Sequence, residues 1–318
     1  MTDIRRADLH VHSCHSKVSG TLTFLGSRDC YSRPEDVYRV AKARGMDYVA
    51  FTDHDSIGGA LELLSQRPEL TDVIVGEEVS CWLPDSGIEV HLGVYGMTEA
   101  LHREIQPLRK NAFEVARCLS DAQVFFTLNH LLHFYRGQVP FDSYLRLLDV
   151  VPALEARNGA MLRAHNLLIE RLAAESPVSR RLGMVGGSDA HTLRRVGTTW
   201  TSAPGSTCAE FLSNVADGLG QPGGAHGGPG AVAGDAYGVI GLFVASLLGF
   251  GPKDHAGWRR AGCLAFAAAS LPGQVVAPPI VAARGKSRER REVRRAEAYF
   301  SGPADQTASR PLGKGAGA

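Results

Sequence analysis

The stretch that decides the fold is Asp8-Leu9-His10-Val11-His12, which ends an apolar run near the start of the chain. Two comparable clusters follow, Phe51-Thr52-Asp53-His54-Asp55 and Gly187-Ser188-Asp189-Ala190-His191. Each cluster ends a β-branched, apolar run of the kind that forms a buried strand. Because the carboxyl ends of parallel strands meet at one rim of an α/β barrel, these imidazoles and carboxylates are expected to converge. The pattern predicts a metal cluster.

The spacing within two of these clusters is that of a chelating pair. His10 and His12 are two residues apart, so on a strand both side chains face the same side and can bind one ion. Asp189 and His191 repeat this spacing, and the glycine pair before them permits close backbone approach. We therefore interpret all four side chains as metal ligands.

Further candidate ligands end the neighbouring apolar runs. Glu77 and Glu78 are adjacent, and since neighbours on a strand point to opposite faces, only one of them is expected to face the site. His91 lies within a later apolar run, and His130 closes the next one. Either histidine alone would often be a satisfied core residue. Their shared position near the predicted strand ends favours metal ligation by both.

Composition excludes several classes of protein. The 318 residues carry a formal net charge of +1, which gives no overall field for nucleic acid or acidic membranes. Six cysteines are scattered without a C-x-x-C pair, which argues against a disulfide framework or a zinc ribbon and is typical of a reducing compartment. The first residues lack the apolar core of a secretory signal, so we expect a cytoplasmic protein.

The first 220 residues alternate strand and helix patterns. Strands are predicted over residues 7–11, 48–52, 73–79, 89–95, 124–129, 153–156, 184–187 and 198–201. Capping boxes begin helices at Ser32 and Thr207, and Gly45 is the expected residue after the first helix. Repeated β-then-α units predict a parallel sheet, and seven or eight of them predict a closed or nearly closed α/β barrel.

Three segments are predicted from the change in composition. Residues 1–222 form the catalytic domain, residues 223–234 a Gly/Pro-rich linker, and residues 235–318 a helical, apolar appendage. The appendage either packs on the barrel or on a second copy of the chain, or contacts a membrane through residues 235–283. Pro272, Pro278 and Pro279 argue against one continuous spanning helix. Every candidate ligand precedes the linker, so residues 1–222 are expected to fold and act alone.

The whole pattern resembles the PHP superfamily, named for polymerase and histidinol phosphatase. The matching stretches are Asp8-Leu9-His10-Val11-His12-Ser13, Thr52-Asp53-His54-Asp55, Gly76-Glu77-Glu78, His91-Leu92-Gly93, Asn129-His130 and Ser188-Asp189-Ala190-His191. The resemblance implies a distorted (β/α)7 barrel with two or three metal ions at its carboxyl rim. It implies a first ion held by His10, His12, Glu78 and Asp189, a second by Glu78, His91 and His130, and a third by His54 and His191.

One departure from the family pattern concerns the third ion. Many PHP proteins have an acid shortly after the H-x-H pair, where this chain has Lys17. A protonated lysine is a poor metal ligand. Either His15 substitutes, or the third site is weak and Lys17 offers its charge to a substrate phosphate. In the second case two ions are held strongly, and Lys17→Asp would gain a third.

Substrate binding and proton transfer are assigned to the same rim. Asp189, His191 and His54 are candidate proton donors to a leaving group. Guanidinium groups on rim loops suit bidentate binding of phosphate, although loop arginines are often merely solvated. These candidates are Arg136, Arg157, Arg194 and Arg195.

The expected reaction is hydrolysis of small phosphate esters. Two or three divalent ions (Zn, Mn or Fe) lower the pKa of a bound water, so that metal-bound hydroxide forms, and they neutralise a phosphoryl group. The expected partner is a small phosphorylated substrate, with no specific nucleic-acid binding and with self-association or membrane contact through the tail. The alternative is a catalytically weak metal-binding module that acts as a binding or membrane-tethered regulatory protein.

Overall fold

The computed structural model describes residues 3–17, 28–133, 141–175, 181–250 and 257–300. Within these residues, nine strands form one sheet in the order β7-β6-β5-β4-β3-β2-β1-β8-β9. The strands are β1 (Ile4–Asp8), β2 (Tyr48–Phe51), β3 (Val73–Trp82), β4 (Glu89–Tyr95), β5 (Phe125–Leu128), β6 (Ala153–Asn158), β7 (Gly183–Gly187), β8 (Thr199–Pro204) and β9 (Gln221–Gly224). The predicted α/β barrel is confirmed in kind, because the sheet curls until its ends approach each other.

The direction of the strands differs from the purely parallel expectation. Strands β1, β2 and β3 are parallel, as are β5, β6 and β7. Strand β4 runs antiparallel to both of its neighbours, and β8 and β9 are likewise antiparallel to theirs. A repeated β-then-α unit is therefore interrupted at β4. His91 consequently reaches the carboxyl rim of the parallel strands from the amino-terminal half of its own strand.

Among the described residues, seven helices accompany the barrel strands. They are α1 (Pro34–Ala43), α2 (Gly58–Gln66), α3 (Glu99–Ile105), α4 (Ala112–Asp121), α5 (Phe141–Leu148), α6 (Arg163–Glu175) and α7 (Cys208–Asn214). The predicted cap at Thr207 is confirmed, since its hydroxyl accepts from Glu210 N at 3.1 Å. Gly45 follows α1 at φ +80°, the left-handed conformation expected after a helix.

The capping box predicted at Ser32 is wrong. Helix α1 begins at Pro34, with Arg33 in the cap position and no side-chain hydrogen bond to the helix. Proline at the first helical position has no N–H to satisfy, so the need for a side-chain cap is smaller there. The hydroxyl of Ser32 is buried away from the helix terminus.

The barrel closes where the chain after β7 meets the chain after β1. Asp189 N donates to His10 O at 2.8 Å, and His12 N donates to Ala190 O at 3.1 Å. Gly187 makes this approach possible, because a Cβ built on it would lie 2.3 Å from His10 Cβ. The close approach expected of the glycine pair is therefore present, and it sets two predicted ligand pairs side by side.

The segment predicted as a linker is ordered into the fold. Residues 221–224 form β9 on the edge of the sheet, and helix α8 (Pro229–Leu247) begins inside the predicted linker. Hydrogen bonding to β8 gives the glycines of this stretch a regular backbone partner that composition did not reveal. The linker prediction for residues 223–234 is wrong for this reason.

Two more helices complete the tail, α9 (Gly257–Ala269) and α10 (Leu271–Phe300). Helix α10 continues through Pro278 and Pro279, contrary to the break expected there. It packs on the barrel: Val293 and Ala296 join the main apolar core, and Glu289 accepts a hydrogen bond from Leu162 N at 2.7 Å. The tail thus shares buried surface and buried hydrogen bonds with the barrel.

Helix α8 is long and apolar enough to cross a membrane, with a mean hydropathy of 1.5 over its most apolar window. Only 22% of that window is buried. Helices α9 and α10 meet the same criteria only as one span bent by 67°. Length and composition alone do not distinguish such a span from a helix that packs on a protein core.

We expect Gly187→Ala to destabilise the protein by about 1–3 kcal/mol or more, since the new methyl group overlaps His10 in a closed barrel. The matched control is Gly241→Ala in α8, where nothing lies within 4 Å of the added Cβ. That control is expected to be neutral or stabilising by roughly 0.5–1 kcal/mol. Chemical denaturation of both variants measures the difference, and equal stabilities would contradict the close approach.

Candidate metal centre

Six imidazole rings gather at the rim where β1, β2, β3, β5 and β7 end. Neighbouring ring centroids lie 4.3 Å (His12 to His191), 4.5 Å (His12 to His54), 5.1 Å (His10 to His12), 5.2 Å (His54 to His91) and 5.1 Å (His91 to His130) apart. Every histidine predicted as a ligand is in this group. The structure therefore brings the predicted set together, although the residues are up to 181 positions apart in the chain.

The carboxylate of Glu78 lies at the centre of the rings. Its Oε1 is 2.9 Å from His130 Nε2 and 3.2 Å from His91 Nδ1. Its Oε2 is 3.1 Å from His10 Nε2, 3.2 Å from His54 Nδ1 and 3.4 Å from His12 Nε2. With imidazole nitrogens on both oxygens, Glu78 has the geometry of a carboxylate that bridges two ions.

The neighbouring Glu77 points the other way, as the alternation of side chains along β3 requires. Its carboxylate accepts from His102, with Oε2 2.7 Å from Nδ1. Of the two adjacent acids, only Glu78 faces the imidazole cluster.

Asp189 completes the group formed by the H-x-H pair. Its Oδ1 lies 3.6 Å from His10 Nε2 and 3.4 Å from His12 Nε2. These three residues, one donor atom each, form one of the sets that could hold a metal ion. The other sets are His10, Glu78 and His130; His54, Glu78 and His91; and His12, His54 and His191.

The donor atoms fit a metal because several of them have no other partner. His10 Nε2, His12 Nε2 and Glu78 Oε2 are buried, and none of them has a hydrogen-bond partner among the described residues. Leaving a buried polar atom unpaired costs about 1–3 kcal/mol. Nitrogen and oxygen lone pairs that converge in this way are satisfied by a divalent cation, so the residues present fit the implied ions.

The electrostatics of the cluster favour positive charge. Burial opposes ionisation of Glu78, but His10, His54 and His91 outweigh it and hold the pKa of this carboxyl well below its usual range. Burial likewise disfavours the charged form of His10, yet Glu78, Glu155 and Asp189 raise its pKa well above the ordinary value. Metal ions would replace these protons, so binding is expected to release protons and to weaken at low pH.

A second layer of polar residues orients the ligands, and the sequence analysis did not assign it. Glu155 Oε1 lies 2.7 Å from His10 Nδ1, and its Oε2 accepts from His130 N at 3.0 Å. Asn158 donates to Glu155 at 2.9 Å and to Asp189 Oδ2 at 3.1 Å. A partner on the far ring nitrogen fixes the imidazole so that the other nitrogen faces the ion.

Backbone strain occurs at two of the ligands. His130 has φ +27° and Asp189 has φ +52°, a backbone region that residues other than glycine rarely occupy. Strain of this kind persists only where surrounding contacts impose it, and it is concentrated at functional sites. The observation agrees with a site whose geometry is selected for binding.

Comparison with known proteins finds a family model and similar structures. Residues 164–218 match the family model described as PHP-associated. A two-domain protein from Bacteroides vulgatus that contains a predicted PHP-like metal-dependent phosphoesterase has a similar structure, with a TM-score of 0.50 and 16% identity over 74% of this chain and 69% of that one. The resemblance to the PHP superfamily is confirmed. The chain has a PHP-type fold.

Two other proteins are similar. PsfC from Pseudomonas syringae has a TM-score of 0.50 and 15% identity, over 76% of this chain and 99% of its own. An uncharacterized protein of Methanocaldococcus jannaschii is 35% identical over 75 residues, which are 23% of this chain and 43% of that relative. The match therefore spans less than half the length of the curated relative.

An acid that the sequence analysis missed lies beside His54 and His191. Asp29 Oδ2 lies 3.7 Å from His54 Nε2 and 3.8 Å from His191 Nε2, and its Oδ1 is buried without a hydrogen-bond partner in the described chain. Asp29 follows a Thr- and Gly-containing stretch at no motif spacing, so no sequence signal distinguished it from other loop acids.

The two candidates considered for this position lie elsewhere. His15 Nε2 pairs with Glu62 Oε2 at 2.8 Å, on the side facing α2, so the substitution by His15 is wrong. Lys17 is exposed, with its backbone N donating to His54 O at 2.9 Å. Asp29, rather than a residue at position 15 or 17, lies beside His54 and His191.

The predicted phosphate-binding arginines differ in their exposure and in their hydrogen-bond partners. Arg157 is held by Glu170, with Nη2 2.6 Å from Oε1. Arg195 is buried and donates to Gly159 O, and Arg194 is exposed beside Gly234 of α8. Arg136 lies outside the described residues. Arg157 and Arg195 thus have internal partners, while Arg194 and Lys17 are the predicted substrate-binding residues exposed in the described structure.

We expect Asp29→Asn to weaken the third of three bound ions by at least about tenfold, because a neutral amide is a poor ligand, while two ions stay bound. The control is Asp36→Asn, which alters an exposed carboxylate in α1. Titration with Mn²⁺ in a mild chelator gives the stoichiometry and affinity. Two ions in the unmodified protein, or a third ion gained by Lys17→Asp, would contradict the assignment of Asp29.

Proposed function

We propose that this chain is a metal-dependent hydrolase of phosphate esters, either a phosphomonoesterase or a small phosphodiesterase. One observation carries the proposal: six histidines, Glu78 and Asp189 converge at the rim of a PHP-type barrel with buried donor atoms that lack other partners. Buried imidazole nitrogens and a buried carboxylate oxygen without hydrogen-bond partners are not expected of histidines that only fill a core. The similar structures support the fold, and the site residues support the chemistry.

The ligand set divides among three ions. His10, His12, Glu78 and Asp189 would hold the first, and Glu78, His91 and His130 the second. His54 and His191, with Asp29, would hold the third. Zn, Mn and Fe all suit such imidazole and carboxylate ligands. When bound, the ions supply an activated water and neutralise the charge of a phosphoryl group.

The charge of the ligand set selects an anionic substrate. Only Glu78, Asp189 and Asp29 are anionic, while the six imidazoles are neutral when they bind metal. Three divalent ions in such a set leave a net positive charge, and a net positive charge also remains if only two ions are bound. A positively charged site beneath apolar walls attracts and orients phosphate esters.

Accessibility separates two of the histidines from the rest. The side chains of His54 and His191 are 19% and 27% exposed, whereas those of the other four histidines are 9% exposed or less. Burial and the neighbouring imidazoles hold the pKa of His54 well below its ordinary value, although Glu78 opposes this shift. Burial also disfavours the charged form of His191, but Asp189 and Asp29 outweigh it and raise its pKa, so His191 is the better donor to a leaving alcohol. Since a metal ligand must be deprotonated, the same ring cannot do both at once, and occupancy of the third site decides between the roles. Burial opposes ionisation of Asp189, the third predicted donor, but His10, His12 and His191 hold its pKa well below its usual range, so it is ionised and suits a ligand rather than a proton donor.

The contacts of the substrate beyond the ions are proposed at the rim. Lys17 and Arg194 are exposed there and suit charge-assisted contacts to phosphate oxygens. The protein is proposed to act in the cytoplasm on a small phosphorylated substrate, without specific binding of nucleic acid. Association through residues 235–283, with a second copy or with a membrane, is a separate proposal.

We expect His12→Ala and Asp189→Ala each to lower bound metal by about one ion per chain and to reduce hydrolysis of p-nitrophenyl phosphate by about 10²-fold or more. The control is His15→Gln, a nearby histidine paired with Glu62 outside the cluster. Elemental analysis of the purified proteins and a colorimetric assay give both quantities.

Two results would contradict this proposal. Unchanged metal content in both alanine variants would contradict the assignment of His12 and Asp189 as metal ligands. Full metal content without turnover of any phosphate ester in the unmodified protein would favour the alternative, a metal-binding module without catalytic activity.

A further inference from the structure

A cavity of about 600 Å³ extends from the metal centre to the tail helices. Asp29, Asp189 and His191 form one end of it, where the proposed ions are held. The opposite wall belongs to α8 and α10, which lie beyond the predicted catalytic domain. A volume of this size accommodates a complete small molecule rather than a phosphate alone.

Most of the wall away from the ions is apolar by area, although Asp235, Lys286, Arg288 and Glu289 also line the cavity. Helix α8 contributes Val232, Val239 and Ile240, and α10 contributes Val281 and Ala282. Hydroxyl groups of a sugar or polyol would lose hydrogen bonds to water on entering such a wall, whereas hydrocarbon would gain from burial.

The tail helices are hydrogen-bonded to two loops of the barrel, one of which carries the candidate ligand His191. Asp235 of α8 accepts from Thr192 Oγ1 at 3.0 Å, one residue after His191. Glu289 of α10 accepts from Leu162 N at 2.7 Å and pairs with the buried Lys286 at 2.6 Å. These contacts hold both helices against the rim, so the apolar wall is formed before any ligand binds.

We propose that this cavity, named here the tail pocket, binds the alcohol part of the substrate, and that this part is apolar. The inference rests on the proposed phosphoesterase function and narrows it to phosphate esters of aliphatic or aromatic alcohols. The phosphoryl group lies at the ions, and the hydrocarbon lies between α8 and α10. The tail is then part of the substrate site, in contrast to the expectation that residues 1–222 act alone.

The opening of the tail pocket agrees with an amphiphilic ligand. Val281 lines the cavity and is itself 65% exposed, so the apolar wall is continuous with the outer surface of α10. Val276 and Ile280 are exposed on the same helix. Such an ester could come from solution or from a lipid, and both sources share the chemistry of a phosphate joined to hydrocarbon.

Binding of two non-hydrolysable probes tests the pocket. Calorimetry on the metal-loaded full chain compares hexylphosphonate with methylphosphonate, which has the same anionic head. We expect hexylphosphonate to bind at least about tenfold tighter, since burial of about two of its methylene groups suffices for that factor. Equal affinities, or no binding of either probe, would overturn the inference.

Variants locate the bound chain. Val239→Asp introduces a charge into the wall, and Ala236→Trp fills the space beside it. Both are expected to abolish the preference for hexylphosphonate while methylphosphonate still binds. The matched control is Leu242→Asp, an exposed position of α8 that does not line the cavity. A preference that survives both wall variants would contradict the tail pocket.

Turnover separates this inference from the function on which it rests. Tight binding of hexylphosphonate without hydrolysis of any ester would support the tail pocket and contradict the phosphoesterase proposal. Hydrolysis of p-nitrophenyl phosphate, together with equal affinities for the two probes, would support the phosphoesterase proposal and contradict the tail pocket. Release of phosphate from hexyl phosphate in solution indicates a dissolved substrate, and release from phosphatidic acid in phosphatidylcholine vesicles indicates a lipid.

Discussion

The contact on which the site depends is the carboxylate of Glu78 between imidazoles from four separate segments of the barrel. Glu78 is fully buried, and its two oxygens lie within 3.4 Å of five histidines. A buried charge is tolerated only when cations or strong donors surround it. The need to satisfy this one group therefore constrains where β1, β2 and β5 end and where β4 begins.

The barrel supplies this constraint through backbone contacts as well as side chains. Glu78 N donates to Asp53 O at 3.2 Å, and Asp55 N donates to Glu78 O at 2.9 Å, which ties β3 to the His54 loop. On the other side, Asp8 accepts from Ser188 N at 2.8 Å and Gly197 N at 2.7 Å. Burial raises the pKa of Asp8 to about 6, although these hydrogen bonds oppose the shift. Hydrogen bonds to neighbouring segments thus hold the His54 loop and the Asp189 loop in place.

The parts of the site that could be predicted depend on the alternation of side-chain direction along a strand, which repeats every two residues. The two-residue spacing of His10 and His12 determines that both rings share one face, and the adjacency of Glu77 and Glu78 determines that only one does. Asp29 could not be predicted, because its position depends on how a loop folds over the rim. The antiparallel direction of β4 was also hidden, since an apolar strand has the same pattern in either direction.

In the tail, the local preference of the sequence predicts the wrong secondary structure. Its glycines and prolines are typical of a linker, yet residues 221–224 find a partner in β8, and α10 continues through Pro278 and Pro279. Tertiary contacts such as that of Glu289 with Leu162 N override the local preference. Thr192, the residue after His191, also donates to Asp235 of α8, so the tail packs directly beside a candidate metal ligand.

Metal stoichiometry of Glu78→Gln tests the central claim most directly. If Glu78 bridges two ions at the centre of the cluster, this variant is expected to lose at least about two ions per chain, since an amide cannot bridge as a carboxylate does. The isosteric control is Glu77→Gln, whose side chain contacts His102 away from the cluster and should leave the metal content unchanged. Retention of every ion by a folded Glu78→Gln protein would contradict the account.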